Sequence, residues 1–448
     1  MPASSSASST PRSPQDHMPG APQEFATNSA TGATSAPSPS APAPSVPASS
    51  VPVQIPEDSL PAIREALQAL LPADTDTLSQ VAATEPAGGQ RGQVCVVGSA
   101  NADLTIQTDR LPRPGETVHG SPLQILPGGK SANQAVQASR LGAPVAFVGA
   151  LGSDPNGDLL RDSLTASGVD LTACAKLDAP TGCAVITVDS QAENTIVISP
   201  GTNAEVTAAF VEEQAAAITG AAVLGLCFEI PMEGTIAAAK IAREAGTTVF
   251  LNPSPFETVP AELLELTDVL VVNEGELASM LGWEQAADTA NTAATAGAAD
   301  PAATADTVAG ANAADTKTRA AAAAGQTSAP AGALAASLGQ IATSAQAREH
   351  VGKALAERGL HRVIVTLGSQ GSVVFAGTAT VVPAMRAAAV DTTGCGDSYF
   401  GSLLALHAAG VPLEQAALAA SFISAVAATS LGAQASYATG MELHTLLQ

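Results

Sequence analysis

The chain has 448 residues and a formal net charge of −23, from 41 acidic side chains against 18 lysines and arginines. Such a surface argues against a nucleic-acid or membrane-surface role, while leaving room for a small anion held by local dipoles. The five cysteines (Cys95, Cys174, Cys183, Cys227, Cys395) are odd in number and form no CxxC pair, which suits a reducing cytoplasm and neither a disulfide framework nor a zinc site.

Residues 1–57 are Ser, Ala, Pro and Thr with almost no large apolar side chains, so the segment reads as a disordered extension with no signal-peptide core. Helical spacing of Leu, Ile and Ala follows in "DSLPAIREALQALL", predicting a short appended helix and linker over 58–91. "VCVVGS" (94–99) is a buried strand ending in Gly. Beyond it come a helix over 130–143, the strand "VAFVGALG", a helix over 157–169, and the hairpin pair "GCAVITVDS" and "NTIVISPG". Strands and helices then alternate: strand 222–228, helix 233–245, "TVFLNP", helix 260–265, "VLVVNE", helix 274–281. Residues 284–338 are dominated by Ala, Thr, Gly and Asp and read as a low-complexity insertion. The second block gives helix 345–359, strands "RVIVTLG" and "GSVVFAG", and helices near 396–409 and 414–429. The longest apolar run, 416–429, is too short to span a bilayer. One α/β domain results, in two blocks (92–283 and 339–448), with a three-layer, mostly parallel central sheet flanked by helices. The strands near 104–125 and 182–198 break the alternation and suggest a small separate sheet.

Five stretches carry candidate chemistry. "GSANAD" (98–103) places Asn101 and Asp103 at a strand end, where an amide and a carboxylate suit vicinal hydroxyls; alone, it reads equally as a capped turn. "PGGKSANQA" (127–135) offers Gly128 and Gly129 for close backbone approach, and Lys130 and Asn133 on one helix face; alone, it is an ordinary glycine turn. In "VNEGE" (272–276), Asn273 and Glu276 are hard oxygen donors that suit Mg²⁺, or simply a helix cap. "TLGSQG" (366–371) is a glycine turn that suits a nucleotide or a plain β-turn. Finally, "DTTGCGDSYFG" (391–401) sets Gly394, Cys395 and Gly396 before a buried helix, where successive N–H groups form an anion cradle. An aspartate beside such a cradle makes sense if the anion develops only during reaction: Asp397 takes a proton from a hydroxyl, and the cradle holds the phosphoryl charge that then forms.

In their order and spacing, these stretches resemble the ribokinase/phosphofructokinase-B sugar kinases, with "PGET" (114–117), "AENTIVISPGTNA" and the "GAQAS" tail adding to the match over about 92–283 and 339–448. The resemblance implies the ribokinase-like form of that α/β sheet, with a β lid (about 100–126 and 180–200) that makes a homodimer contact. It implies a cytoplasmic, ATP-dependent kinase phosphorylating D-ribose at O5, with Mg²⁺ accompanying ATP and K⁺ as activator. Asn101, Asp103, Gly128, Gly129, Lys130, Asn133 and Glu193 would hold the sugar, Asp397 would be the base, and Gly394, Cys395 and Gly396 the anion hole. Asn273 and Glu276 would support Mg²⁺ and phosphate, with Thr366, Gly368, Gly371, Gly396 and Ser421 on the nucleotide side. Asp391, Thr393, Ala427, Ser430, Gly432 and Ser436 match positions around K⁺. Three features depart from the family pattern: Cys395 where Ala is usual, a small Ser421, and the insertion after the NxxE stretch. The alternatives are a kinase of fructose, a deoxyribose or a nucleoside, or a non-catalytic sugar-binding regulator. A lid without Trp or Tyr favours a bare sugar, and an intact Asp397 with its cradle opposes the regulator.

Overall fold

The computed structural model describes residues 53–71, 92–191, 193–282 and 336–448. The extension up to residue 52, the linker 72–91 and the insertion over 283–335 lie outside the described residues. A β-bridge between Gln54 and Arg386 opens the described chain, followed by α1 (Leu60–Gln68). β1 (Val94–Val97) runs almost directly into β2 (Asn101–Gln107), and β3 (Gln124–Gly128) leads into α2 (Lys130–Arg140). Next come β4 (Val145–Gly152), α3 (Pro155–Ala166), β5 (Cys174–Leu177), β6 (Cys183–Val188) and β7 (Asn194–Ser199). α4 (Ala208–Glu213), α5 (Ala215–Thr219), β8 (Val223–Leu226), α6 (Met232–Ala245), β9 (Thr248–Leu251), α7 (Ala261–Leu266), β10 (Val269–Asn273) and α8 (Glu274–Leu281) complete the first block. The second holds α9 (Ala345–Ala356), β11 (Arg362–Thr366), β12 (Ser372–Ala376), β13 (Thr378–Val382), α10 (Cys395–Ala408), α11 (Leu413–Ala427) and α12 (Gly440–Leu446).

Nine strands form the central sheet in the order β13-β12-β11-β10-β9-β8-β1-β4-β5. Every neighbour pair is parallel except β11–β12 and β12–β13. The β-branched runs of β1 and β4 are buried at every position, as strands covered on both faces must be. Alternate residues feed two cores. Val94, Val96, Phe147 and Phe250 pack with α1, α2, α10 and α11, while Cys95, Val97, Val148 and Leu251 pack with α6, α8 and α9. These are the three layers that strand–helix alternation predicts. The second sheet, β3-β2-β6-β7, is the lid; β2 pairs antiparallel with β3 and parallel with β6.

Two segment boundaries move. Residues 53–57 were grouped with the disordered extension, yet Gln54 and Arg386 exchange backbone hydrogen bonds at 2.7 and 3.3 Å, and Val53 and Ile55 pack on the core. Leu338, assigned to the insertion, is buried beside Ile341 in the second core. The elements not predicted, β5, β13, α4, α5 and α12, have four to seven residues each, too few for a periodic signal.

Candidate active site

β1 has β4 on one side and β8 on the other, and the chain leaves it in opposite senses, so its carboxyl end is a switch point where a crevice opens. Glu229, Asn252, Asn273 and Thr366 lie at or just past the carboxyl ends of β8, β9, β10 and β11, while Lys130 and Asp397 come from the first turns of α2 and α10. A cleft of about 200 Å³ is lined by Lys130, Asn252, Asn273, Glu276, Thr366, Gly394, Gly396 and Asp397, among others.

Asn101 and Asp103 lie within β2 and not in a turn beyond β1; as i and i+2 they share one face of the strand. Gly128 faces that carboxylate, since a Cβ there would stand 2.1 Å from Asp103 Oδ2. Gly129 has φ +88°, and a Cβ on it would meet the Asn101 nitrogen at 2.5 Å, so both glycines of "GGK" are needed for the approach of α2 to β2. Asn203 locks this corner: its Nδ2 donates to Asn101 Oδ1 at 2.7 Å and its Oδ1 accepts from the Ala100 nitrogen at 3.0 Å.

Glu193 does not join them. It is exposed in the β6–β7 turn, where its N–H donates to Asp189 Oδ1 at 3.0 Å. The carboxylate that does converge is Glu229, just past β8. Its Oε2 accepts from Ser99 Oγ at 2.5 Å, the Lys130 N–H at 3.0 Å and Asn101 Nδ2 at 3.4 Å. An acid directly after a buried strand, at the same sheet end as "GSANAD", was the available signal for it.

Asp397 sits in the first turn of α10, only 8% exposed. Asn133 Nδ2 donates to its Oδ2 at 3.0 Å and Gln134 Nε2 to its Oδ1 at 3.4 Å. Burial raises its pKa, against the opposing pull of the Lys130 ammonium and the two amides. Burial also raises Asp103 to about 7, helped by the charges of Glu229 and Asp397. Glu229 is raised by burial too, despite its hydrogen bonds. Burial pulls the Lys130 ammonium down, but Asp397 and Glu229 outweigh it and its pKa rises. Asp397 and Glu229 thus flank the Lys130 ammonium and Asp103 stands near both carboxyl groups, an arrangement suited to accepting hydrogen bonds from several hydroxyls.

The glycine cradle is present, with an altered membership. Gly394 caps α10 at φ +74°, and a Cβ there would meet Ala433 Cβ and Tyr437 Oη at 2.6 Å. The Cys395 N–H donates to the Thr392 carbonyl at 3.2 Å, whereas those of Gly394 and Gly396 have no acceptor among the described residues. A Cβ on Gly396 would meet no protein atom within 4 Å; the space it leaves is cleft. Burial, with the charges of Asp391 and Asp397, pushes the Cys395 thiol up to about 11.

Asn273 and Glu276 form a reciprocal capping box on α8, with Asn273 Oδ1 accepting the Glu276 N–H at 2.8 Å and Glu276 Oε2 accepting the Asn273 N–H at 2.9 Å. Both still line the cleft, Asn273 with its amide nitrogen uncommitted. Thr366 lines it as well, but Gly368 and Gly371 form the β11–β12 turn; a Cβ on Gly371 would strike the Val382 carbonyl at 2.2 Å. Ser421 is buried within α11, its hydroxyl on the Ala417 carbonyl at 3.0 Å, and it does not line the cleft. Asp391 joins two loops: Oδ1 accepts the Thr393 N–H at 2.9 Å and Oδ2 the Gly432 N–H at 2.8 Å. Burial opposes its charge, but these backbone bonds prevail and lower its pKa. Ala427, Ser430 and Ser436 lie on the second of these loops or at its edges.

A family model described as pfkB family carbohydrate kinase matches residues 91–314 and 331–439. The chain belongs to the pfkB family of carbohydrate kinases. It is 29% identical to a ribokinase of Haemophilus influenzae over 80% of this chain and 99% of that protein. With a ribokinase of Mus musculus it shares 31% identity over 77% of this chain and 91% of the other. The structure of Arabidopsis thaliana ribokinase complexed with ribose and ATP superposes with a TM-score of 0.62 at 27% identity, covering 80% of this chain and 99% of that one.

Proposed function

We propose that the protein transfers the γ-phosphoryl group of ATP to O5 of D-ribose, giving D-ribose 5-phosphate and ADP. The observation that carries this reading is Asp397, a buried carboxylate at the positive end of α10, with unpaired glycine N–H groups on one side and Asn101, Asp103 and Glu229 on the other. Relatives named ribokinase, one solved with ribose and ATP, support it. Asp397 accepts the O5 proton as the O5–P bond forms and the bond from phosphorus to the β-phosphate oxygen breaks. The Gly394 and Gly396 N–H groups meet the charge on the transferred group, and Lys130 steadies both charges. Ribose hydroxyls donate to Asp103 and Glu229, and Asn133 keeps a second amide hydrogen for the sugar. A coupled ADP-release assay over a panel of pentoses, hexoses and nucleosides tests the reading. Preference for a nucleoside or fructose, or no sugar-dependent ADP, would reject it.

Among the described residues no group of three or more His, Cys, Asp or Glu side chains could hold a metal ion. Mg²⁺ would come with the nucleotide phosphates and offset part of their charge, and Asn273 and Glu276, both on the cleft, would support it there. The Asp391 loops offer a carboxylate and backbone carbonyls, a donor set that fits K⁺. Asp391, Thr393, Ala427, Ser430, Gly432 and Ser436 would hold the ion, which would stiffen the loop that aims the Gly394 N–H. Turnover is therefore expected to be faster in KCl than in NaCl at equal ionic strength and saturating Mg·ATP; equal rates would leave Asp391 as a loop tie alone.

Asp103→Ala and Glu229→Ala are each expected to weaken ribose binding by roughly 10- to 100-fold, the worth of a hydrogen bond to a buried charge, with ATP affinity retained. Unchanged ribose affinity by calorimetry would remove that carboxylate from the sugar site. The lid carries a row of paired apolar residues, Ile125, Leu104, Val185 and Val197, of which Leu104 is half-buried and the other three are exposed, Val197 at 69%. A self-complementary row of this kind suits a homodimer formed through the lid. Val197→Asp is expected to shift sedimentation toward monomer, and a wild-type chain that sediments as monomer would sink the dimer.

A further inference from the structure

α2 turns Asn133, Gln137 and Arg140 to one face, at i, i+4 and i+7, and that face meets α10 and the loop after α11. From Asp397 a chain of buried side chains runs away from the substrate. Asn133 donates through Nδ2 to Asp397 Oδ2 at 3.0 Å. Gln434 donates through Nε2 to Asn133 Oδ1 at 3.0 Å. Ser163 Oγ donates to Gln434 Oε1 at 2.7 Å. Gln434 is 2% exposed and Asn133 5%. An ionised carboxylate only accepts, so Asp397 fixes the direction of each link: amide hydrogens toward the base, amide oxygens away from it. The neighbouring Gln134 lacks such a lock, because its buried Oε1 has no partner among the described residues.

We propose that Gln434 is a positioning residue for phosphoryl transfer, holding the Asn133 amide with its N–H toward Asp397 and so tying the base to the 432–436 loop. This rests on the reading of Asp397 as the base. The charged and titratable groups facing Asp397 are Lys130 of α2, Asp103 of β2, Cys227 and Glu229 after β8, Cys395 of α10 and Tyr437. An apolar replacement at Gln434 alters none of them, so a changed titration of Asp397 would report the amide chain itself.

The test is kcat against pH at saturating ribose and Mg·ATP, where the sugar carboxylates Asp103 and Glu229 are already engaged and the acid limb follows ionisation of the base. In Gln434→Met the Asn133 amide is free to turn. Losing an N–H donor raises a carboxylate's pKa, so the limb is expected to move to higher pH by about one unit, with kcat on its acid side falling roughly tenfold. A limb that stays in place, whatever happens to the melting temperature, overturns the proposal. Should Gln434→Met fail to fold, Gln434→Glu keeps the volume and presents only acceptors to Asn133. Turning that amide then raises the limb and also costs the sugar an N–H, so ribose affinity falls roughly tenfold. A raised limb with unchanged affinity would be through-space charge alone and would overturn the proposal. Asp397→Asn separates the two readings: near-normal turnover in it removes the base itself, whereas an inactive Asp397→Asn with an unmoved limb in the Gln434 variants removes only the positioning.

Discussion

Asp397→Asn is expected to lower turnover by roughly 10²–10⁴-fold while leaving ribose affinity within a few-fold of wild type. The substitution preserves size: Asn133 keeps an acceptor in the carboxamide oxygen, while Gln134, which donates to the other carboxylate oxygen, must turn its Oε1, unpartnered among the described residues, toward the new NH₂. What is lost is a group able to take the O5 proton, together with the charge that pairs with Lys130. The cradle at Gly394 and Gly396 remains, so binding and charge stabilisation persist and a residual rate is expected. Single-turnover measurement of sugar-phosphate formation, set beside ribose calorimetry, reads both quantities. Turnover within severalfold of wild type would place the base elsewhere. Loss of ribose affinity in proportion to the rate would make Asp397 a sugar contact alone.

The aspartate was legible because its neighbours are chemically incongruous: three glycines and an acid at a helix start make little sense as packing. The same holds for "GSANAD" and "GGK", where glycines at close backbone approaches point to Asn101, Asp103 and Lys130. β4 was readable because burial on both faces leaves a continuous run of apolar and small residues, and α2 because an unbroken helix-forming stretch runs between Gly129 and Gly142. Glu229 was not legible, because one acid after a strand resembles any loop residue and its partners arrive from 130 and 99 positions away in sequence. Glu193 misled because it stands beside a run that matches the family, yet the β6–β7 turn carries it to the lid's exposed rim. Gln434 was quoted only as part of "GAQAS"; its partner Asn133 lies 301 positions earlier, and no local pattern encodes such a pairing. Asn273 and Glu276 show the converse: the helix-cap reading is correct, and it does not take them out of the cleft.

Removal of residues 1–52 is expected to leave stability and activity unchanged, whereas removal of residues 1–71 is expected to destabilise the kinase by more than any single core truncation. Composition placed the ordered boundary at residue 57 with a short helix after it, and that helix, α1, belongs to the first core. Ile63, Leu67 and Leu70 are each 0–2% exposed, and the helix packs against α11 and α12. Polar contacts fix its orientation: Arg64 Nε donates to the Leu447 carbonyl at 3.1 Å and Gln415 Nε2 to the Ala62 carbonyl at 3.0 Å. Truncating one such side chain, as in Ile63→Ala, costs about 2–5 kcal/mol, and deleting the helix removes three and uncovers their partners. The family match begins at residue 91, so α1 lies outside it. The effect should reach the site, because α11 leads into the loop that carries Gly432 and Gln434, and Gln54 pairs with Arg386 five residues before Asp391. Chemical denaturation of the two truncations, each also assayed for ribose-dependent ADP release, makes the comparison. Equal midpoints for the two would show that α1 rests on the core without supporting it.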